Sequence, residues 1–483
     1  MTRVQLASGT LEGAVHGAGT AWLGVPYAAA PVGPRRFLAP EPVQPWAGVR
    51  PATTSGPAAI QPRGIGEPTA EDCLTLNIWA PTAPTGAAGD RELRPVMVWI
   101  HGGGFTTGSG AQYGGAGLAA LGDIVVVTIN YRLGVLGFVD VGSVCSDPIP
   151  GNLGLRDQVA ALRWVRDNIA AFGGDPERVT VAGESAGSMA VSLLMVAPSA
   201  RGLFRSAIME SGSYSLVHGP DLRALIADRY ATALGLTGAS LEQWQAVPAE
   251  RLLEVQIGVD RAMKGSVPSA PWFDGDLVPD SLAQARAVPA DDIALLAGHN
   301  RDEITMFQYL PMDIIPIRRH QLAARLEDEL GPDGAARVLA AYPDTHHGNR
   351  ALATDFTFAM PTRHFAERHA AAGRPTFCYR FDAAIPVMGA THAAELPYLW
   401  DWSGLPAILL RGFGSAAKRS LGRRMQQHWA TFVRDGRPGP SWDPFTLPER
   451  PTMIFHPRGD RMESDPDSAR RSVWQGEDVA PGT

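Results

Sequence analysis

The sequence predicts an α/β fold: a large, mostly parallel central sheet flanked by helices, with helical insertions over its functional edge and a small N-terminal β-hairpin region. Three observations point there. Val96–Ile100 and Ile124–Ile129 are short, rich in β-branched residues and lack polar alternation, the pattern of strands covered on both faces. A helix pattern follows, with Leu155, Val159, Leu162, Val165, Ile169 and Phe172 at spacings of three and four, stopped by Gly173-Gly174-Asp175-Pro176. Strand and helix then alternate again, at Val179–Ala182 and Gly187–Val196, which builds a doubly wound sheet.

The remaining elements fall around this centre. Arg3–Ala7, Leu11–Ala14 and Thr20–Pro26 read as a hairpin system, and Leu74–Ala80 as another strand. The stretch from Pro81 to Asp90 has the composition of a loop. Ala207–Glu210, Ile293–Ala297, Phe377–Phe381 and Met453–Phe455 extend the strand series, and Leu421, Met425, Trp429 and Phe432 mark the helix before the last of these. Two helical excursions, about 214–290 and 314–372, are expected to cover the functional edge. The tail after Pro457 is polar and is expected to be mobile. The chain shows no internal repeat and is read as one domain over 1–483.

With 19% charged and 45% hydrophobic residues, the chain has the balance of a soluble globular protein. A net charge of -7 gives no support to a nucleic-acid or anionic-membrane partner. No apolar run approaches the ~20 residues of a membrane span, and the N-terminus lacks a signal-peptide pattern. Three cysteines, Cys73, Cys145 and Cys378, do not make a disulfide framework. A cytoplasmic location is the expectation.

Chemistry enters at Gly183-Glu184-Ser185-Ala186-Gly187, a G-x-S-x-G pattern between an apolar strand and an apolar helix. A serine on so tight a turn stands clear of the backbone, and the flanking glycines let strand and helix close together. A serine capping a helix after a strand is the plainer alternative. Upstream, Val98-Trp99-Ile100-His101-Gly102-Gly103-Gly104-Phe105 runs from a strand into three glycines. Backbone N–H groups of Gly103, Gly104 and Ala186 would form an oxyanion hole, each donor worth about 3–4 kcal/mol to a developing oxyanion. His101 is read as ordering this loop, and Phe105 as either pocket wall or core. The nucleotide-loop patterns are not met, and no H-E-x-x-H or Cys/His cluster calls for a metal.

The order serine, acid, histidine expected of such a fold leaves several candidates downstream. His392 lies in a loop after Phe377–Phe381. His346 and His347 read as solvated, and His364 and His369 as helix residues. Asp302 and Glu303 both follow the strand Ile293–Ala297, at the carboxyl end where such sheets place ligands, and position does not separate them.

Taken together these motifs resemble the type-B carboxylesterases, the α/β-hydrolase family of the bacterial para-nitrobenzyl esterases and the cholinesterases. The resemblance runs from Leu23-Gly24-Val25-Pro26-Tyr27 almost to Pro457. It includes Glu71-Asp72-Cys73-Leu74-Thr75-Leu76-Asn77, Asn130-Tyr131-Arg132-Leu133-Gly134, Gly151-Asn152-Leu153-Gly154-Leu155-Arg156-Asp157-Gln158 and Phe172-Gly173-Gly174-Asp175-Pro176. It implies a triad of Ser185, Glu303 and His392, the oxyanion donors Gly103, Gly104 and Ala186, and supporting roles for Glu184 and Ser211. It also implies hydrolysis of small to medium carboxylic esters through an acyl-enzyme, with no cofactor; nothing in the sequence suggests an obligate assembly, and a monomer or weak homodimer fits. Three departures stand out. No cysteine in Gly56–Gln61 matches a partner for Cys73, Ala393 replaces a frequent glycine, and Trp400-Asp401 replaces a Phe-Gly pair. Two rival readings remain: a carbamate or amide hydrolase using the same triad, and a non-catalytic binding module on the same fold.

Overall fold

The computed structural model describes residues 2–474, except 18, 63–65, 82–91, 215, 264, 287–290, 310–314 and 403–415. The predicted loop from Pro81 to Asp90 therefore lies outside the described residues apart from Pro81, as does residue 314 at the start of the second excursion.

A 13-stranded sheet runs through the molecule. Its spatial order is Thr2–Leu6, Gly9–His16, Gly19–Pro26, Thr75–Pro81, Val125–Ile129, Arg94–Ile100, Gly174–Glu184, Ser206–Glu210, Ala294–Asn300, Thr376–Phe381, Pro451–Phe455 and Arg461–Ser464. Along this order neighbours are parallel from Val125–Ile129 through Pro451–Phe455 and antiparallel outside that block, and the thirteenth strand, Val49–Pro51, lies off the path and pairs parallel with Gly9–His16. The parallel strands are the apolar segments of the sequence. Val96, Val98, Ile100, Val125, Val127 and Ile129 are all fully buried, because helices cover both faces and leave no side for polar residues.

Leu153–Asn168 forms the predicted helix, continued by a 3₁₀ turn over Ile169–Phe172 and ended by Gly173 at φ 84°. Ala186–Leu194 and Ala416–Asp435 are the other helices expected against the sheet. The excursions contain the helices Pro220–Leu234, Ala249–Ala262, Arg319–Ala340, His346–Thr354 and Met360–Ala371. A π-helical turn, Asp355–Ala359, joins the last two.

The tail departs from expectation. Arg461–Ser464 pairs antiparallel with Pro451–Phe455, a helix follows at Ser468–Val473, and Trp474 is fully buried. Its indole Nε1 donates to the Tyr342 hydroxyl at 2.7 Å. One aromatic anchor outweighs the polar composition around it.

Two of the sequence motifs meet in a buried ion pair. The Arg132 guanidinium donates to both Asp157 oxygens, at 2.8 and 2.7 Å, and its backbone N–H donates to the same carboxylate at 3.0 Å. The side chains are 4% and 0% exposed. All three cysteines are free, with Cys73 and Cys378 buried. Removing one partner of a buried pair leaves an uncompensated charge, so Asp157→Ala is expected to lower stability by about 3–5 kcal/mol. Urea unfolding followed by tryptophan fluorescence checks this, and an unchanged midpoint would show the pair to be dispensable.

Candidate active site

The strand Gly174–Glu184 ends one residue before the helix Ala186–Leu194 begins. Ser185 therefore turns the chain alone, at φ 56° and ψ −124°, a conformation costing on the order of 1–3 kcal/mol. Its N–H donates to the Glu210 carbonyl and its carbonyl accepts from Met189 N–H, both at 2.9 Å. Gly187 permits the turn, since a Cβ there would sit 2.1 Å from the Ile100 carbonyl oxygen. Ser185 is partly exposed among buried neighbours.

The glycine loop leaves the neighbouring strand Arg94–Ile100. Gly103 sits at φ 112°, where a side chain would collide with the Thr107 carbonyl. The Asn130-Tyr131-Arg132-Leu133-Gly134 motif pins the loop at two points: the Tyr131 hydroxyl donates to the His101 carbonyl at 2.7 Å, and Gly134 N–H donates to the Phe105 carbonyl at 2.8 Å. The His101 ring stacks on Tyr131 with centroids 4.5 Å apart, and its Nδ1 lies 2.8 Å from the Gly102 carbonyl. Burial lowers its pKa to about 4, so it is neutral and orders the loop. Phe105 is fully buried against Phe138; it is core. The N–H groups of Gly103, Gly104 and Ala186 donate to no protein acceptor among the described residues.

Glu303 and His392 come together from two loops. The Glu303 Oε2 to His392 Nδ1 distance is 2.7 Å. Asn300 N–H donates to the other carboxylate oxygen at 2.7 Å, and His392 N–H donates to the Glu303 carbonyl at 3.1 Å. Asp302 is held elsewhere: its Oδ2 accepts from Ala390 N–H at 2.9 Å and from Arg301 at 2.9 Å. Two phenylalanines cover the imidazole, Phe307 with centroids 5.1 Å away and Phe358 with centroids 4.5 Å away.

His392 Nε2 has no hydrogen-bond partner among the described residues and lies 3.2 Å from Glu184 Oε1. A hydrogen bond between Ser185 and His392 is thus not formed in this structure, although apo sites often close such bonds only around substrate. Ser211 is fully buried at φ 57°, its N–H donating to the Gly298 carbonyl at 2.8 Å and its hydroxyl left without a partner.

Two carboxylates absent from the sequence reading belong here. Glu210 pairs in register with Glu184 on the next strand, and accepts from Trp429 Nε1 at 2.7 Å. Glu395, three residues past His392, accepts from the Asn300 side chain. A charged residue closing an apolar strand was the one available signal for Glu210. Burial, followed by neighbouring negative charge, pushes Glu395 up to about 8 and Glu210 well above its ordinary value. Burial also pushes Glu184 up to about 7, against the pull of His392. Burial would lower His392, but Glu184, Glu303 and Glu395 outweigh it and raise the imidazole to about 9.

His346 and His347 are exposed at a helix start, and His364 and His369 are buried on the helix Met360–Ala371, away from this arrangement. Trp400 is buried against Trp99 and Tyr113, so it packs; the Asp401 side chain lies outside the described residues. No group of three or more His, Cys, Asp or Glu that could hold a metal occurs among the described residues.

Residues 1–474 match the carboxylesterase family. The chain is 36% identical to the para-nitrobenzyl esterase of Bacillus subtilis (strain 168), covering 97% of each. It is 33% identical to the phenmedipham hydrolase of Pseudarthrobacter oxydans, covering 95% of this chain and 96% of that one. Among solved structures, a para-nitrobenzyl esterase aligns with a TM-score of 0.88 at 35% identity, covering 98% of this chain and 99% of that one. The Geobacillus stearothermophilus carboxylesterase at pH 6.2 aligns with a TM-score of 0.86 at 36% identity, covering 98% and 100%.

Glu184 is the largest single influence raising His392. Glu184→Gln removes that charge, lowers the imidazole pKa and leaves it neutral to lower pH. The acid limb of kcat/KM against pH is expected to move toward acid by on the order of one unit. A limb that stays fixed would separate Glu184 from the titration of His392.

Proposed function

We propose, from the premise that this chain belongs to the carboxylesterase family and is a serine carboxylic-ester hydrolase, that Ser185, His392 and Glu303 are its catalytic residues. The observation that supports this best is the Glu303–His392 hydrogen bond with Nε2 left free, at the same sheet edge as the strained Ser185. Glu303 fixes Nδ1 as the protonated nitrogen and stabilises the imidazolium when it forms. Nε2 takes the Ser185 proton as the hydroxyl oxygen bonds to the ester carbonyl carbon.

The N–H groups of Gly103, Gly104 and Ala186 are proposed to hold the resulting oxyanion. Their lack of internal acceptors favours this. The imidazolium then gives its proton to the leaving alkoxide oxygen, releasing the alcohol and the acyl-enzyme. Water attacks the acyl carbon while Nε2 takes its proton, and return of that proton to Ser185 frees the acid. Glu184 and Ser211 are proposed as supports of the histidine, from their places beside it and at the end of the next strand.

The substrate class is proposed as small to medium carboxylic esters. The whole chain is read as one catalytic unit, because the sheet takes strands from both ends of it. No helix among the described residues is long and apolar enough to cross a membrane. Three free cysteines are consistent with the proposed cytoplasmic location. The exposed large apolar residues, such as Val15, Leu225 and Tyr309, come from separate elements, which favours a monomer or weak homodimer.

Assays on p-nitrophenyl acetate, butyrate and octanoate test the reading. Ser185→Ala is expected to lose kcat by roughly 10⁴-fold or more, with a fluorophosphonate probe labelling only the wild type. Equal turnover in wild type and variant would remove Ser185 from the chemistry.

A further inference from the structure

A cavity of about 600 Å³ lies beside the turn that carries Glu303. Arg301, Asp302 and Thr305 form one wall, and Val387 and Gly389 of the loop leading to His392 form another. Neither Ser185, Glu303 nor His392 lines it. The cavity is rich in cations. Arg301 and Arg380, Arg350 and Arg470 all face it, with His347 at the start of the helix His346–Thr354.

Three of the four guanidiniums are matched. Arg301 pairs with Asp302 at 2.9 Å, Arg380 with Asp382 at 2.8 Å and Asp467 at 2.5 Å, and Arg470 with Asp467 at 2.8 Å and Asp355 at 3.3 Å. Arg350 differs. Its guanidinium donates to the Thr305 hydroxyl, and it forms no ion pair with a carboxylate among the described residues. Arg350 is thus the one guanidinium of the four with no carboxylate partner of its own among the described residues, and the exposed His347 lies beside it in the lining.

We propose that this cavity is a regulatory site for a small oxyanion, a carboxylate or a phosphate, bound by Arg350 with His347 at its mouth. A planar guanidinium matches either group through two parallel N–H donors. The volume falls within the usual range for small-ligand pockets. Val387, 84% exposed and held at φ 69°, supplies an apolar lip for the rest of an organic anion.

The site is coupled to the triad through Thr305. That residue lies in the 3₁₀ turn Glu303–Gln308, which presents both Glu303 and Phe307 to His392. An anion that takes Arg350 withdraws its hydrogen bond from Thr305 and loosens this turn, lowering kcat.

Isothermal titration of the full chain with inorganic phosphate tests the site, with ionic strength held constant by sodium chloride. A saturable one-to-one heat is expected in the wild type, weakened at least tenfold in Arg350→Gln. His347→Asp places a carboxylate at an exposed position and is expected to weaken binding similarly; it decides the question if Arg350→Gln does not fold. A parallel titration with succinate separates the two headgroups, the tighter anion naming the class. No saturable heat from either anion, or unchanged affinity in the variants, overturns the site. Saturating anion is expected to lower kcat on p-nitrophenyl butyrate at least twofold in wild type and not in His347→Asp. Binding without that loss would refute the coupling to the Glu303 turn.

Discussion

Ser185 has one residue in which to reverse the chain between a buried strand and a buried helix, and the surrounding architecture answers to that constraint. A left-handed backbone at a non-glycine residue survives only where its neighbours over-determine it. Here the neighbours are the Ile100 carbonyl against Gly187, the Glu210 carbonyl on Ser185 N–H, and the first turn of the helix through Met189. Each contact belongs to a different element. The elbow therefore depends on the parallel register of three adjacent strands, and that register depends on the apolar runs that let helices cover both faces.

The same register creates an electrostatic problem. Glu184 and Glu210 lie side by side at the ends of adjacent strands, and Glu303 and Glu395 arrive from the next loops. Four buried carboxylates cannot all be charged around one imidazole. The structure resolves this unequally. Glu303 accepts from Asn300 N–H at one oxygen and lies in hydrogen-bond contact with the imidazole at the other. Glu210 has one donor, Trp429, and burial favours its neutral form.

Much of this was legible in the sequence, for identifiable reasons. The strands were readable because full burial removes alternation, and the serine turn because its two glycines are required by contact distances under 3 Å. Glu303 and His392, picked out by position and family resemblance, are brought into hydrogen-bond contact. Glu210 and Glu395 acquire their setting only from lateral register, which no local pattern encodes. Phe358 escaped for a related reason: it faces His392 from a π-helical turn, and such a turn has no apolar period of its own. The polar composition of the tail does not show its fixed place, which comes from pairing with Pro451–Phe455, from ion pairs of Asp467 and Arg470 with Arg380 and Asp355, and from Trp474 against Tyr342 and Phe356.

The two ring nitrogens of His392 face different carboxylates, and this fixes how its protons must be counted. With Nδ1–H donated to Glu303 at 2.7 Å, a neutral imidazole presents a lone pair at Nε2. Glu184 Oε1 stands 3.2 Å from that lone pair in a buried site. Two lone pairs at this distance repel, whereas one proton between them turns the contact into an attraction. Burial raises Glu184 to about 7 although His392 pulls it down, and the carboxylates, Glu184 first among them, raise His392 to about 9. An imidazolium with a proton on Nε2 cannot accept from Ser185, whereas the neutral imidazole with Nδ1–H on Glu303 can. The base becomes free when the proton leaves the pair or moves fully onto Glu184. Glu184, fixed one residue before the serine by the strand itself, thus links the elbow to the charge around His392.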